Sequence, residues 1–152
     1  MVELNEIRGQ VIVPRQVQGT VLAADVPLSF WGGYDPDTGA IIDQRHPLAG
    51  EMATGCVLVI PGGRGSCSGS GVLFEAIRNG TAPAAIVMSQ IDPIIGLGAV
   101  LGDELFDTAP AVIVIDEQER RRIATGDMIQ IDASGAITVA RLTGVAPDAD
   151  TR

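Results

Sequence analysis

The sequence predicts a mixed α/β domain in which a small parallel β-layer, with helices between its strands, lies against a second β-layer. Three observations point there. Short, wholly apolar runs of strand length, "CVLVIP", "AAIVMS" and "AVIVID", alternate with segments of helical periodicity. Both ends of the chain hold short β-branched segments rather than helices. The 152 residues are 46% hydrophobic but only 3% aromatic, so the core has to be built from Val, Ile, Leu and Ala.

Residues 7–13, "IRGQVIV", and 17–23, "VQGTVLA", read as an N-terminal pair of short strands. Residues 28–48 form a long irregular connection that carries the only Trp, Tyr and His, at Trp31, Tyr34 and His46. Connections of that length are usually functional or disordered. The run 56–61 is a buried strand, and it enters the glycine-rich stretch 61–71, "PGGRGSCSGSG". A helix follows, with Val72, Leu73, Ala76 and Ile77 on one face and Asn79-Gly80 as its stop. After a strand at 84–89, Asp92 caps a second helix with Pro93 at its first position. Ile94, Leu97, Leu101 and Leu105 recur there at helical spacing and read as its core stripe. A third buried strand spans 111–116, and a short charged helix follows whose "ERRR" reads as a solvated face. Strands at 128–131 and 136–139 flank the "DASG" turn. Residues 144–152 read as a frayed tail, which leaves 1–143 as one domain.

Charge and cysteine usage remove several function classes. The net charge is −9, lysine is absent, and ten scattered arginines form no basic stripe. Nucleic acid and anionic membranes are therefore excluded as partners, as are Schiff-base and P-loop lysine chemistry. The chain shows no signal-like leader and no apolar run of membrane-span length, so a cytoplasmic setting with reduced thiols is expected. Cys56 and Cys67 form no CxxC pair and cannot cage a metal by themselves, so no cofactor is expected on this chain.

The glycine-rich stretch is the candidate site. Five glycines, three serines, one cysteine and one arginine sit between a buried strand and a helix start, where free N–H groups and the helix dipole suit an anion. Standard motifs fail letter by letter. No lysine completes a P-loop, Ser68 stands where GxGxxG needs its third glycine, and no serine has glycine two residues away on both sides. Ser66 beside Arg64 remains, with a plain β–α turn capped by Ser68 or Ser70 as the alternative. Cys67, at a helix start, reads as a small buried filler ahead of a reactive thiol. His46 reads as structural, Asp25, Asp35, Asp37 and Asp43 as turn formers without calcium-loop spacing, and Trp31 as a lid or interface anchor. A lone serine without a base, metal or cofactor carries little chemistry. If the loop is catalytic, it is part of a site that another subunit completes.

The stretches "SFWGGYDPDTGAIIDQRHPLAGE", "LVIPGGRGSCSGSGVLFEAI", "APAAIVMSQIDPIIGLGAVLGDEL" and "TGDMIQID", then "GAITV", occur in this order over roughly residues 5–140. Together they resemble the small subunit of the aconitase X family, the counterpart of the swivel domain of aconitase. The resemblance implies a swivelling β/β/α fold and a hydro-lyase formed, as a heterodimer or higher heteromer, with a larger subunit that carries an iron or iron–sulfur centre. It places the proton acceptor at Ser66, and substrate-carboxylate contacts at Arg64, Gly63, Gly65, Cys67 and Ser68. Some relatives have lysine in place of Arg64. The implied substrate is a small hydroxy acid, in the first place cis-3-hydroxy-L-proline giving 1-pyrroline-2-carboxylate. The alternatives are 5-phosphomevalonate and a non-catalytic binding or scaffold role. A phosphohistidine carrier is disfavoured because the only histidine lies outside the loop.

Overall fold

The fold was analysed in a computed structural model that describes residues 2–143; the tail expected over 144–152 lies outside the described residues. Eight strands form one mixed sheet: β1 (Val2–Arg8), β2 (Gln10–Val13), β3 (Val17–Ala23), β4 (Val57–Val59), β5 (Ala85–Met88), β6 (Ala111–Val114), β7 (Met128–Ile131) and β8 (Ala136–Leu142). Their spatial order is β1-β8-β7-β3-β4-β5-β6-β2. β3, β4, β5 and β6 run parallel, and every other pairing is antiparallel. The helical segments are α1 (Phe30–Gly33), α2 (Gly69–Asn79), α3 (Pro93–Phe106) and α4 (Glu117–Arg122). In α1, Trp31 and Gly32 have non-helical dihedrals, so it is a turn more than a helix.

The expected N-terminal β-pair does not form. The segment 7–13 is broken at Gly9 into β1 and β2, which pair with β8 and β6 and occupy opposite edges of the sheet. A side chain at Gly9 would meet Ile113 at 2.3 Å, so only glycine lets the chain cross there. β3 also serves both layers: Val17–Thr20 pairs with β7, and Val21–Ala23 with β4.

Side-chain alternation then builds three layers. Val57, Val59, Ala85, Val87, Ala111 and Ile113 face the antiparallel strands and meet Ile129, Ile131, Ile137 and Val139. Their neighbours Leu58, Ile60, Ile86, Met88 and Val112 face α2 and α3. The connection 28–48 joins this second core through Leu28, Phe30, Tyr34, Ile41 and Leu48, all buried. It is thus an ordered wall.

Three further expectations are corrected. The buried face of α3 is Ile95, Gly96, Gly98, Ala99 and Gly102, whereas Leu97, Leu101 and Leu105 are exposed. α3 lies too close to α2 for large side chains: a Cβ on Gly98 would stand 2.7 Å from the Ser70 carbonyl oxygen, and one on Gly102 2.7 Å from Ile77. Within "ERRR", Arg120 is buried, at 2% exposure, and pairs with Glu117 and Asp25 while donating to the Ala24 carbonyl. It pins α4 to the end of β3. Cys67 is exposed and is no filler.

Two stability measurements follow. Gly98→Ala should lower stability by about 1–3 kcal/mol because its Cβ meets backbone. Gly96→Ala, whose Cβ would sit 3.6 Å from Ile12 in ordinary contact, should raise it by up to about 1 kcal/mol. Denaturant unfolding of the two variants tests the opposite signs. Asp127 is buried and accepts two hydrogen bonds from Arg141 and one from the Ala124 N–H; the Arg141 bonds chiefly hold its carboxyl below the usual range. A depressed carboxylate stabilises above its unfolded pKa of about 4 and loses that contribution as pH falls through its folded value. Asp127→Asn should therefore cost on the order of 1–2 kcal/mol at neutral pH, with the gap to wild type closing in unfolding curves taken at acid pH.

Candidate active site

The glycine loop leaves the C-terminal end of β4 and is held from two sides. On one side, the Gly62 carbonyl accepts from the Leu28 N–H at 3.2 Å, which ties the loop to the 28–48 wall. On the other, the Asp92 carboxylate does two jobs. Its Oδ1 accepts from the Ile94 and Ile95 N–H groups and caps α3, while its Oδ2 accepts from the Gly63 N–H at 2.8 Å. A Cβ at position 63 would lie 2.4 Å from that oxygen, so glycine is required for the clamp to close. Gly65 has φ +90, and a Cβ there would press on Ser29 Oγ at 2.8 Å.

Ser66 is presented outward just beyond this anchored stretch. Its Oγ accepts from the Ser68 N–H at 3.1 Å, and its carbonyl accepts from the Gly69 N–H at 3.0 Å. Ser68 occupies the N-cap position of α2 without a side-chain capping bond, and Ser70 Oγ donates back to the Cys67 carbonyl. The serine that satisfies a helix-start N–H is thus Ser66, neither of the two expected. The N–H groups of Gly65, Ser66 and Cys67 have no partner among the described residues. With the positive end of α2 behind them, they favour negative charge at this surface.

Beneath the loop, Leu28, Phe30, Ile94 and Ile95 form an apolar floor, with Arg64, Ser66 and Asp92 at its rim. The cleft is only about 10 Å3, room for no more than a water, so by itself it does not enclose a substrate. The larger surface hollows lie on the antiparallel layer and along the strand ends, lined by none of the loop residues.

Arg64 reaches sideways to Asp43, Nη2 to Oδ2 at 3.2 Å. Asp43 is anchored in turn by the Arg45 N–H on its Oδ1. That backbone bond and the Arg64 guanidinium hold its carboxyl below the usual range. Gly63, Arg64, Gly65, Ser66, Cys67 and Ser68 therefore share one exposed turn. His46 does not join them: it is buried, its Nδ1 accepts from the Leu48 N–H and its Nε2 donates to the Val26 carbonyl. Both ring nitrogens are occupied, in the neutral tautomer those partners require, so the structural role holds. Trp31 is exposed beside the start of α2, its backbone nitrogen 3.7 Å from where a Cβ on Gly69 would stand. Cys56 is half-buried, and burial pushes its thiol up. No group of three or more His, Cys, Asp or Glu able to hold a metal occurs among the described residues, and no helix there is long and apolar enough to cross a membrane.

Sequence reasoning missed two residues. Asp92 was legible as a helix cap, but not as the clamp on Gly63, 29 residues away. Asp43 was legible as a turn former, which it is, yet nothing in its neighbourhood signalled the pairing with Arg64.

Proteins similar to this chain can be named. Over 113 residues the chain is 46% identical to a cis-3-hydroxy-L-proline dehydratase of Pseudomonas aeruginosa, an alignment covering 71% of this chain and 20% of that protein. It is 43% identical over 129 residues to the phosphomevalonate dehydratase small subunit of Methanopyrus kandleri, covering 85% and 92%. The chain thus spans about a fifth of the hydroxyproline dehydratases it matches and nearly the whole of that small subunit. Its fold matches the crystal structure of Thermococcus kodakaraensis aconitase X in its holo-form, with a TM-score of 0.79 at 31% identity, covering 89% of this chain and 98% of that one. Residues 6–139 match the profile of the aconitase X swivel domain. The three-layer fold and these likenesses agree: the chain belongs to the aconitase X swivel-domain family.

Proposed function

We propose that this chain is the small subunit of a two-subunit hydro-lyase that dehydrates a β-hydroxy carboxylate, with Ser66 as the proton acceptor. One observation carries this: an outward-facing serine stands among three unpartnered loop N–H groups, over a cleft too shallow to hold a substrate. Such a surface becomes a site only when another chain covers it. The relatives agree in form, since the counterpart of this chain is one fifth of a longer dehydratase in one case and a small subunit in another. In this reading residues 1–143 move as the swivelling unit, in the cytoplasm, against a larger aconitase X-type subunit.

Ser66 takes the proton on the carbon α to the substrate carboxylate, as alkoxide or through a relay. A hydroxyl is a weak acid, so its alkoxide needs help: the Ser68 N–H already donates to Oγ, and the α2 dipole points at it. Arg64 and the N–H groups of Gly65 and Cys67 take the carboxylate, whose charge grows as the proton leaves. Gly63 is spent on the Asp92 clamp, so its part is to fix the loop, and Ser68 supplies the N–H on Oγ. The iron or iron–sulfur centre implied by the family resemblance has no ligand set among the described residues here. We assign it, with departure of the hydroxyl, to the larger chain.

Cis-3-hydroxy-L-proline is the substrate we favour. Arg64 is the only cation lining the cleft among the described residues, and Asp43 already pairs with it, which leaves little to attract a phosphate. The near-complete coverage of a phosphomevalonate dehydratase small subunit supports the alternative, for which the partner would supply the cations.

Ser66→Ala in the reconstituted two-subunit enzyme should lower turnover by about 100-fold or more, with assembly and the iron content of the complex unchanged. Turnover near wild type would move the base to the larger chain and leave this one a scaffold. The chain purified alone should show no dehydratase activity and carry no iron by elemental analysis. An active, iron-loaded single chain would overturn the split site.

A further inference from the structure

The outer face of α3 is apolar where a surface helix is normally polar. Leu97, Leu101 and Leu105 are 53%, 40% and 65% exposed. With Ile94 they follow at three- and four-residue intervals, so the four form one line along the helix. The line starts at the candidate site: Ile94 lines the cleft below Ser66, and its Cγ2 is 3.4 Å from where a Cβ on Gly69 would stand. The turn that bears Trp31 reaches the same glycine from the loop 28–48 side, and Trp31 is 59% exposed. That turn is tied down. Phe30 is buried within it, the Trp31 carbonyl accepts from Ser29 Oγ at 2.9 Å, and the Gly33 carbonyl accepts from the Ile42 N–H at 2.9 Å. A turn held at these points presents its aromatic at a fixed place and does not swing as a lid.

A chain that covers Ser66 has to hold on by more than the glycine loop. A stable interface takes about 800 Å² from each partner, and residues 63–68 offer glycines, small side chains and one arginine already paired with Asp43. The apolar surface that adjoins them is the α3 line and Trp31. A second exposed apolar group, Val2, Leu4, Met128 and Leu142, lies on β1, β7 and β8 instead. Another copy of this chain is the poorer occupant of the α3 line, because it would bring a like net charge of −9 to it. We propose that the larger subunit docks on the α3 line and on Trp31 through an apolar groove of its own, so that one contact holds the chains together and closes the Ser66 cleft. This rests on the two-subunit reading and adds to it the surface that joins the subunits.

Association of the full chain with the larger subunit is measured by titration calorimetry, without turnover, so the result stands apart from whether Ser66 is the base. Leu97→Gln combined with Leu101→Gln should weaken association by about 30-fold or more, and Trp31→Ala by about tenfold or more, the scale of buried interface anchors. Denaturant unfolding of these variants should match wild type, since the side chains are exposed in the single chain. Ser66→Ala should associate as wild type does, and so should Leu4→Gln, the same kind of change on β1. Unchanged association in the α3 double variant or in Trp31→Ala would overturn the docking and leave the two-subunit reading in place, as would an equal loss in Leu4→Gln. No association of the wild-type chain would overturn both. In sedimentation the chain alone should be a monomer; a dimer that the α3 double variant dissociates would give this face to a second copy and overturn the proposal.

Discussion

One residue separates β1 from β2, yet the two strands hold opposite edges of an eight-stranded sheet. A flat or gently twisted sheet cannot meet that condition, so this one curls until its edges come together. Gly9 is where they meet: its N–H donates to the Gly135 carbonyl at 3.0 Å, and Ile113 fills the space a side chain would need. The curl buries one face of the parallel strands against the antiparallel ones. The other face is left for α2, α3 and the 28–48 wall, so β4, β5 and β6 are apolar on both sides. Because β3 to β6 run parallel, their carboxyl ends lie on one side, and the loop bearing Ser66 leaves from one of them. In open α/β sheets that end is where ligands bind.

A loop this rich in glycine is costly to order, because each glycine gives up more backbone freedom than any other residue. The fold offsets that cost at its base. Asp92 ties Gly63 to the cap of α3, Leu28 ties Gly62 to the wall, and the glycines at 98 and 102 let α2 and α3 close on one another behind the loop. Ordering is concentrated before Ser66 and after it, and in the turn that bears Ser66 the N–H groups of residues 65–67 have no partner among the described residues. Glycine here serves close approach as much as left-handed backbone: Gly63 has an ordinary φ but no room for a Cβ, whereas Gly65 needs both.

Most of this fold could be read from the chain because its signals are local. The apolar runs became β4, β5 and β6, the Asp-Pro start and Asn-Gly stop framed helices, and "DASG" joined β7 to β8. What escaped has a physical pattern. Hydrophobic periodicity registers large side chains, so on α3 it picked Leu97, Leu101 and Leu105, while the buried face beyond Ile95 is glycine and alanine, which allow close approach. A run of arginines looks solvated until the Ala24 carbonyl and Asp25 carboxylate of a distant segment join the Glu117 carboxylate of the same helix on one of them, Arg120. At the site, the loop and the prominence of Ser66 were legible. The clamp from Asp92 and the pairing of Arg64 with Asp43 join segments 29 and 21 residues apart, and no local pattern encodes them.

The exposure of Ser66 settles how the half-site must work if it is catalytic. The N–H groups that would stabilise an alkoxide face water in the isolated chain, where they are hydrated and their field is screened. An Oγ there has one protein donor and the helix dipole, too little to hold a negative charge against bulk solvent. Covering the loop changes both quantities at once, because excluding water strengthens every dipole already aimed at Oγ and removes the competing solvent. On the proposed reading, preorganisation is built into this chain and desolvation is left to the larger subunit. The anchored base of the loop fits that division: the donors hold their geometry before the cover arrives, and closure need not reorder glycines at the moment of reaction.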